Sequence, residues 1–287
     1  MIKHFLHMLL LLPFIVNAQQ KEVLHQEYFK DGCVQHEWYT NNNHPIKYWK
    51  TFTQDSPDYY QRNYNQQGNL IAEGWMSHQQ KKGFWIEYSK NHSIGKGHYK
   101  NNIKEGLWEY TNKNHLDSVG NYKSNQKIGS WEYYKNDQLI YQREYHNPAK
   151  FHEKTYHLNG KLKTQGWYVN NLKHDFWEFY TNHNIIIASG NFKNGKKDGY
   201  WHLFSDKGIL VEEGNFKDGK KNNWWIFFNS LGKLSHKCEF KENLKNGYCI
   251  YYKKNKIIKG QYFQKGVQKN EWSDWNSYRK DHLKIHE

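Results

Sequence analysis

Eighteen histidines, three cysteines and a net charge of +14 define the chemistry open to this chain: metal ligation, thiol pairing and anion binding. The segment HEKTYH at 152–157 has the residue types of the zinc-protease pattern H-E-x-x-H. That pattern needs two histidines four apart on one helical face with the glutamate as base. His152 and His157 are five apart, which on a strand turns them to opposite faces. GKG at 95–97 lacks the following helix and Lys-Ser/Thr of a phosphate loop and reads as a turn. With no G-x-S-x-G segment and no coherent acid pair, no catalytic, metal or cofactor residue is expected, and the protein reads as non-enzymatic.

The elements that position these residues come from a repeat. Trp85, Trp108, Trp131, Trp177, Trp201, Trp225 and Trp272 are separated by 23, 23, 46, 24, 24 and 47 residues. The two double gaps each hide a degenerate copy, with the tryptophan position falling on Lys154 and on Cys249. Two residues before the tryptophan stands a glycine (Gly83, Gly106, Gly129, Gly199, Gly247), and eleven before it another (Gly74, Gly97, Gly120, Gly166, Gly190, Gly214). Extended backwards, the pattern meets Arg62 and Trp38 as further copies of the tryptophan position. Self-similarity at such a period marks a repeat architecture. It divides the chain into degenerate N-terminal repeats at 19–73, the array proper at 74–276, and a cap or tail at 277–287.

Each copy reads as two short strands. GNFK or GNYK leads into an Asn-Gly or Asp-Gly turn, and GYWHLF or GSWEYY follows, which is a strong hairpin signal. Aromatics make up 18% of the chain against 37% hydrophobic residues in all, so the core is built of rings covered on one side and wet at the tip. The fold class is all-β, an elongated antiparallel meander of tandem hairpins. With residues 194–197 as a four-residue connection, Lys193 opposes Asp198, Phe192 opposes Gly199 and Gly190 opposes Trp201. Each glycine is then a bare floor for a cross-strand ring, which offsets the cost of glycine in a strand.

The recurring G-x-aromatic, lysine-bearing turn and G-x-W, as in GNFKNGKKDGYWHLFSDKGILVEEGNFKDGKKNNWWIFF, resembles the MORN-repeat superfamily, and more closely the variant repeats of the YwqK-type antitoxin family. The resemblance covers nearly all of the chain after the leader and implies a ladder of β-hairpins. For function it implies membrane attachment or protein scaffolding, or, from the variant group, neutralisation of an effector as an antitoxin or immunity protein.

Cys238 and Cys249 occupy the glycine and tryptophan positions of one copy. A linked change of both members of a cross-strand pair is what a disulfide requires, with Cα atoms about 5.5 Å apart. The pair is expected to be bonded and Cys33 free; two small apolar fillers would fit the same positions. Lysines four residues before the tryptophan position (Lys81, Lys104, Lys127, Lys150, Lys173, Lys197, Lys221, Lys245) fall in turns and are expected to project along one edge. They would either keep an aromatic protein soluble or form a basic stripe for an anionic lipid or glycan surface.

Residues 1–18, MIKHFLHMLLLLPFIVNA, have an early lysine, a short apolar run from Met8 to Val16 and a small residue at Ala18, the pattern of a secretory signal peptide. The expected site of action is therefore periplasmic, extracellular or peripheral to the envelope, which argues against nucleic acid despite the basic charge. The expected function is a binding scaffold for a protein or an anionic surface. Glycan binding along an aromatic face is a further reading, one that needs rows of exposed rings.

Overall fold

The computed structural model describes residues 22–41, 44–89, 93–274, 276, 277 and 279. The expected signal peptide and all but two residues of the expected tail at 277–287 lie outside them. Among the described residues the regular elements are twenty-two β-strands, and within each of two units they pair antiparallel in sequence order, an all-β meander of hairpins. Among the described residues no helix is long and apolar enough to cross a membrane.

The strands fall into two compact units, divided after Glu87. In the second, sixteen strands run from Ser93–Lys100 to Val267–Trp272. The repeat is set by one hairpin geometry, shown by Ile186–Lys193 and Lys196–Phe204. Gly190 pairs with Trp201 as expected, but Asn191 pairs with Asp198, Phe192 with Lys197 and Lys193 with Lys196. The connection is thus the two residues Asn194 and Gly195, with φ of 49° and 79°, rather than four. Both turn residues sit in the left-handed region, whose twist matches that of the flanking strands.

The two residues saved by the short turn reappear as a bulge, Gly199 and Tyr200, between Asp198 and Trp201. Gly199 therefore does not lie beneath Phe192; a Cβ there would meet nothing within 4 Å, and its φ of 71° is the reason for glycine. Asp175 and Asn223 hold the same place in their copies with φ of 55° and 58°. Asp and Asn are the residues that tolerate this conformation best after glycine.

Gly190 has the other role. A Cβ on Gly74, Gly97, Gly120, Gly166, Gly190 or Gly214 would stand 2.3–2.6 Å from the indole of Trp85, Trp108, Trp131, Trp177, Trp201 or Trp225. Each indole lies flat on bare backbone, and its Nε1 donates to the carbonyl of the residue after that glycine, at 2.9 Å from Trp201 to Asn191. These six tryptophans are 0–1% exposed and Trp272 is 8% exposed. Burying one indole removes about 250 Å² from water, a gross gain of about 6 kcal/mol as an upper estimate. Between the indoles stand Tyr or Phe rings edge-on, as Phe192 does to Trp201 at 5.1 Å and Phe216 to Trp225 at 4.9 Å. The core is one layer of rings on one face of the sheet.

Two copies depart from this pattern. In the first, the tryptophan position falls on Glu153, not Lys154: Arg143 pairs with Glu153 and Glu153 with Gly166. This hairpin has no two-residue bulge before the core position, so the strand reaches the core face one residue early. Glu153 is buried, Arg143 Nε donates to its Oε2 at 2.8 Å, and the guanidinium lies 4.6 Å over Phe151. Burial disfavours the charged Arg143, but the bonds to Glu153 and Tyr145 more than offset it and hold its pKa above the ordinary value. In the second, Cys238 pairs with Cys249.

The first unit, described from residue 22 to 87, is a six-stranded meander in which the extrapolated phase is corrected. Trp38 does not stand at a tryptophan position: it takes the place of the glycine and stacks on Trp49 at 4.4 Å, with Lys47 in the left-handed region two residues before. Similarly, Gln61 and not Arg62 faces Gly74, while Arg62 is exposed and paired with Glu73.

Candidate binding surface

The hairpin register decides which side chains are free to act. Lys197 pairs with Phe192, so it stands on the core face rather than at an edge. Its Nζ lies 4.3 Å over the Trp201 ring. The same holds for Lys81 on Trp85 at 4.4 Å, Lys104 on Trp108 at 3.8 Å, and Lys127, Lys173 and Lys221 on Trp131, Trp177 and Trp225 at 4.0 Å each. Lys245, whose copy has no tryptophan, lies 4.8 Å over Phe263. The expected projecting edge is therefore corrected: these lysines are lids on the indoles, held by the ring's negative face. Burial, then the Arg143 charge, pushes Lys127 down to about 8, and burial lowers Lys173 and Lys197 as well. Lys150, one position out of phase in the copy centred on Glu153, stands instead 4.9 Å over Trp167.

Solvent-facing positive charge comes from other residues. Lys100, Lys123, Lys193, Lys217 and Lys241, the last residues of GHYK, GNYK, GNFK and their kin, are exposed beside the turns. Lys193 opposes Lys196 and Lys217 opposes Lys220, like charges directly across the ladder. Their recurrence directly after the aromatic is the signal in the sequence; a four-residue turn at 194–197 sets Lys193 opposite Asp198 and so hides its pairing with Lys196.

On the face away from the indoles the bulge aims one side chain per copy outward, as bulges do. It is the residue just before the tryptophan: Leu107, Phe176 and Tyr200 are 52%, 49% and 41% exposed, and Trp224 is half-buried. Between them lie amides, with Asn191 opposite Phe176 and Asn215 opposite Tyr200. Rings thus alternate with Asn across successive strands. In the first unit Trp75 and Phe84 are likewise exposed.

The histidines of HEKTYH are separated. His152 stands on the outer face 5.2 Å from Trp167, in a groove of about 530 Å³ with Gln142, Glu144, His146, Lys154 and Gln165. Burial holds its pKa below the ordinary value. His157 lies beyond the strand, its Nε2 3.0 Å from the Tyr180 carbonyl. Among the described residues no three His, Cys, Asp or Glu side chains converge as a metal site.

Cys238 and Cys249 are disulfide-bonded and fully buried, with Cα atoms 4.0 Å apart, nearer than the expected spacing. Cys33 is a free, exposed thiol. What this arrangement offers is an open surface with repeated contacts. No family model matches the chain, and no curated protein matches it.

Proposed function

We propose that the protein is a non-catalytic binding scaffold, acting outside the cytoplasm, whose contact surface is the outer face of its hairpin array. The observation that carries this reading is the bulge row: Phe176, Tyr200 and Trp224 come from one position of three successive copies and share one face. A soluble sheet has no folding reason to turn large rings outward at one position of three successive copies, and repeated outward rings mark interaction surfaces. The hairpin repeat also fits the plan of MORN-type proteins, whose scaffolding role accords with it. Combined Phe176→Ala, Tyr200→Ala and Trp224→Ala should abolish retention of the purified protein on envelope material from cells that produce it, with its thermal unfolding unchanged. Undiminished retention would remove this reading.

A second reading rests on the exposed lysines beside the turns, which would dock on an anionic lipid or glycan surface. Co-sedimentation with anionic vesicles that disappears on Lys193→Gln, Lys196→Gln, Lys217→Gln and Lys220→Gln, and with added salt, would support it.

A further inference from the structure

We infer that the outer row takes a single uncharged β-1,4-linked polysaccharide chain, one disaccharide per repeat. The inference rests on the outer face being the contact surface and assigns the partner's chemistry.

Three observations meet here. The first is spacing. Phe176, Tyr200 and Trp224 stand on alternate strands, and strands lie about 4.8 Å apart, so successive rings are roughly 10 Å apart, close to the length of a β-1,4-linked disaccharide. Such a chain turns over at each sugar, so equivalent apolar ring faces recur once per disaccharide.

The second is charge. The chain as a whole is strongly basic, yet the polar groups beside the rings are the amides of Asn191, Asn215 and Asn222 and the carboxylates of Asp198, of Glu213, which Tyr200 hydrogen-bonds, and of Glu239, opposite Trp224. Lys193 and Lys196 stand at their turn, while Lys217 and Lys220 border the hollow beside Trp224 together with Glu239. A strip of apolar rings flanked by amides and carboxylates complements a ligand with apolar faces and hydroxyl edges, and its carboxylates disfavour a phosphate or carboxylate polymer.

The third is shape. Strands in a sheet rotate by about 20–25° from one to the next, so the row winds rather than lying flat. It suits one flexible chain and not the planar face of a crystalline polysaccharide. Lys237 Nζ stands 5.0 Å over the Trp224 ring, and its flexible stem would yield that ring face to a sugar.

The test is titration of the full chain with cellohexaose, chitohexaose and, as an α-linked control, maltohexaose, followed by calorimetry. One of the two β-linked hexasaccharides should bind at least about tenfold more tightly than its own disaccharide, because only the longer chain engages more than one ring of the row at once. Tyr200→Ala and Trp224→Ala should each weaken that binding by about tenfold, with unchanged thermal unfolding. The inference is overturned if neither β-linked hexasaccharide binds, if maltohexaose binds equally well, or if both substitutions leave binding intact. Should the triple row variant lose retention on envelope material while neither hexasaccharide binds, the assigned chemistry fails and the contact surface stands; should retention persist in that variant, the contact surface itself fails.

Discussion

Two glycines of one hairpin do different work, and substitution separates them. At Gly190 the constraint is space: a Cβ would stand 2.4 Å from the Trp201 indole. Gly190→Ala must push the ring off its floor and break its bond to Asn191, at a cost of about 3 kcal/mol. At Gly199 the constraint is conformation alone. Gly199→Ala should cost about 1 kcal/mol, while Gly199→Asn should be nearly neutral, since Asp175 and Asn223 already serve there. Urea denaturation of the three variants checks the order. The lysine lids make a separate prediction about pH. Lys127 binds its proton with a pKa of about 8 when folded, against 10.5 ordinarily. Between those values the unfolded chain holds a proton that the folded chain has released, so this lysine's contribution makes stability rise with pH across that window. At the top of the window half-buried Tyr122 and Tyr133, whose pKa values are raised, act in the opposite direction. Denaturation at about pH 8 and 9 should show the rise, and Lys127→Met should flatten it.

The unit of variation in the hairpin is a pair and not a residue. The facing core positions hold Gly190 with Trp201, Arg143 with Glu153, and Cys238 with Cys249, and each pair satisfies itself across one ladder rung. Breaking a pair on one side should be costly: Arg143→Met leaves the buried Glu153 carboxylate without its partner, a loss of about 3 kcal/mol. The Cys238→Ser, Cys249→Ser variant loses a cross-link around a short loop, also about 3 kcal/mol. Replacing both cysteines by the majority pair, Cys238→Gly with Cys249→Trp, should recover more than half of that stability, because the indole regains a bare floor. Thermal unfolding of the two double variants under non-reducing conditions decides it; equal melting temperatures would mean the two positions are not a transferable pair. The tryptophan period alone made the strands, their order and the Gly190 to Trp201 contact readable. The turn length was misread because two-residue and four-residue connections leave the same number of residues between those partners once a bulge is allowed, and the lysine positions followed that error. Glu153 escaped because a hairpin without the bulge shifts the core phase by one, which no fixed-period template can follow.

Across the second unit every strand pairs only with its neighbours in sequence, so stability is a sum of local terms along one direction. The same locality explains why the sequence is clear about architecture and silent about a partner: core positions repeat under one packing rule, whereas outer positions such as Leu107, Phe176, Tyr200 and Trp224 are held to nothing but exposure by the fold. The consecutive hairpin order has a mechanical consequence. Pulling on residues 93 and 274 loads the hydrogen bonds of one ladder at a time, as in a zipper, so the unit should open at low force in small successive steps. Each repeat released adds 23 or 24 residues of chain, roughly 80 Å of extension. The repeat holding Cys238 and Cys249 is the exception: its bond keeps the ten residues between them out of the loaded path, so its step should be shorter by roughly 35 Å until reductant is added. Optical-tweezer traces with and without reductant would show that one short step lengthen while the others stay as they were.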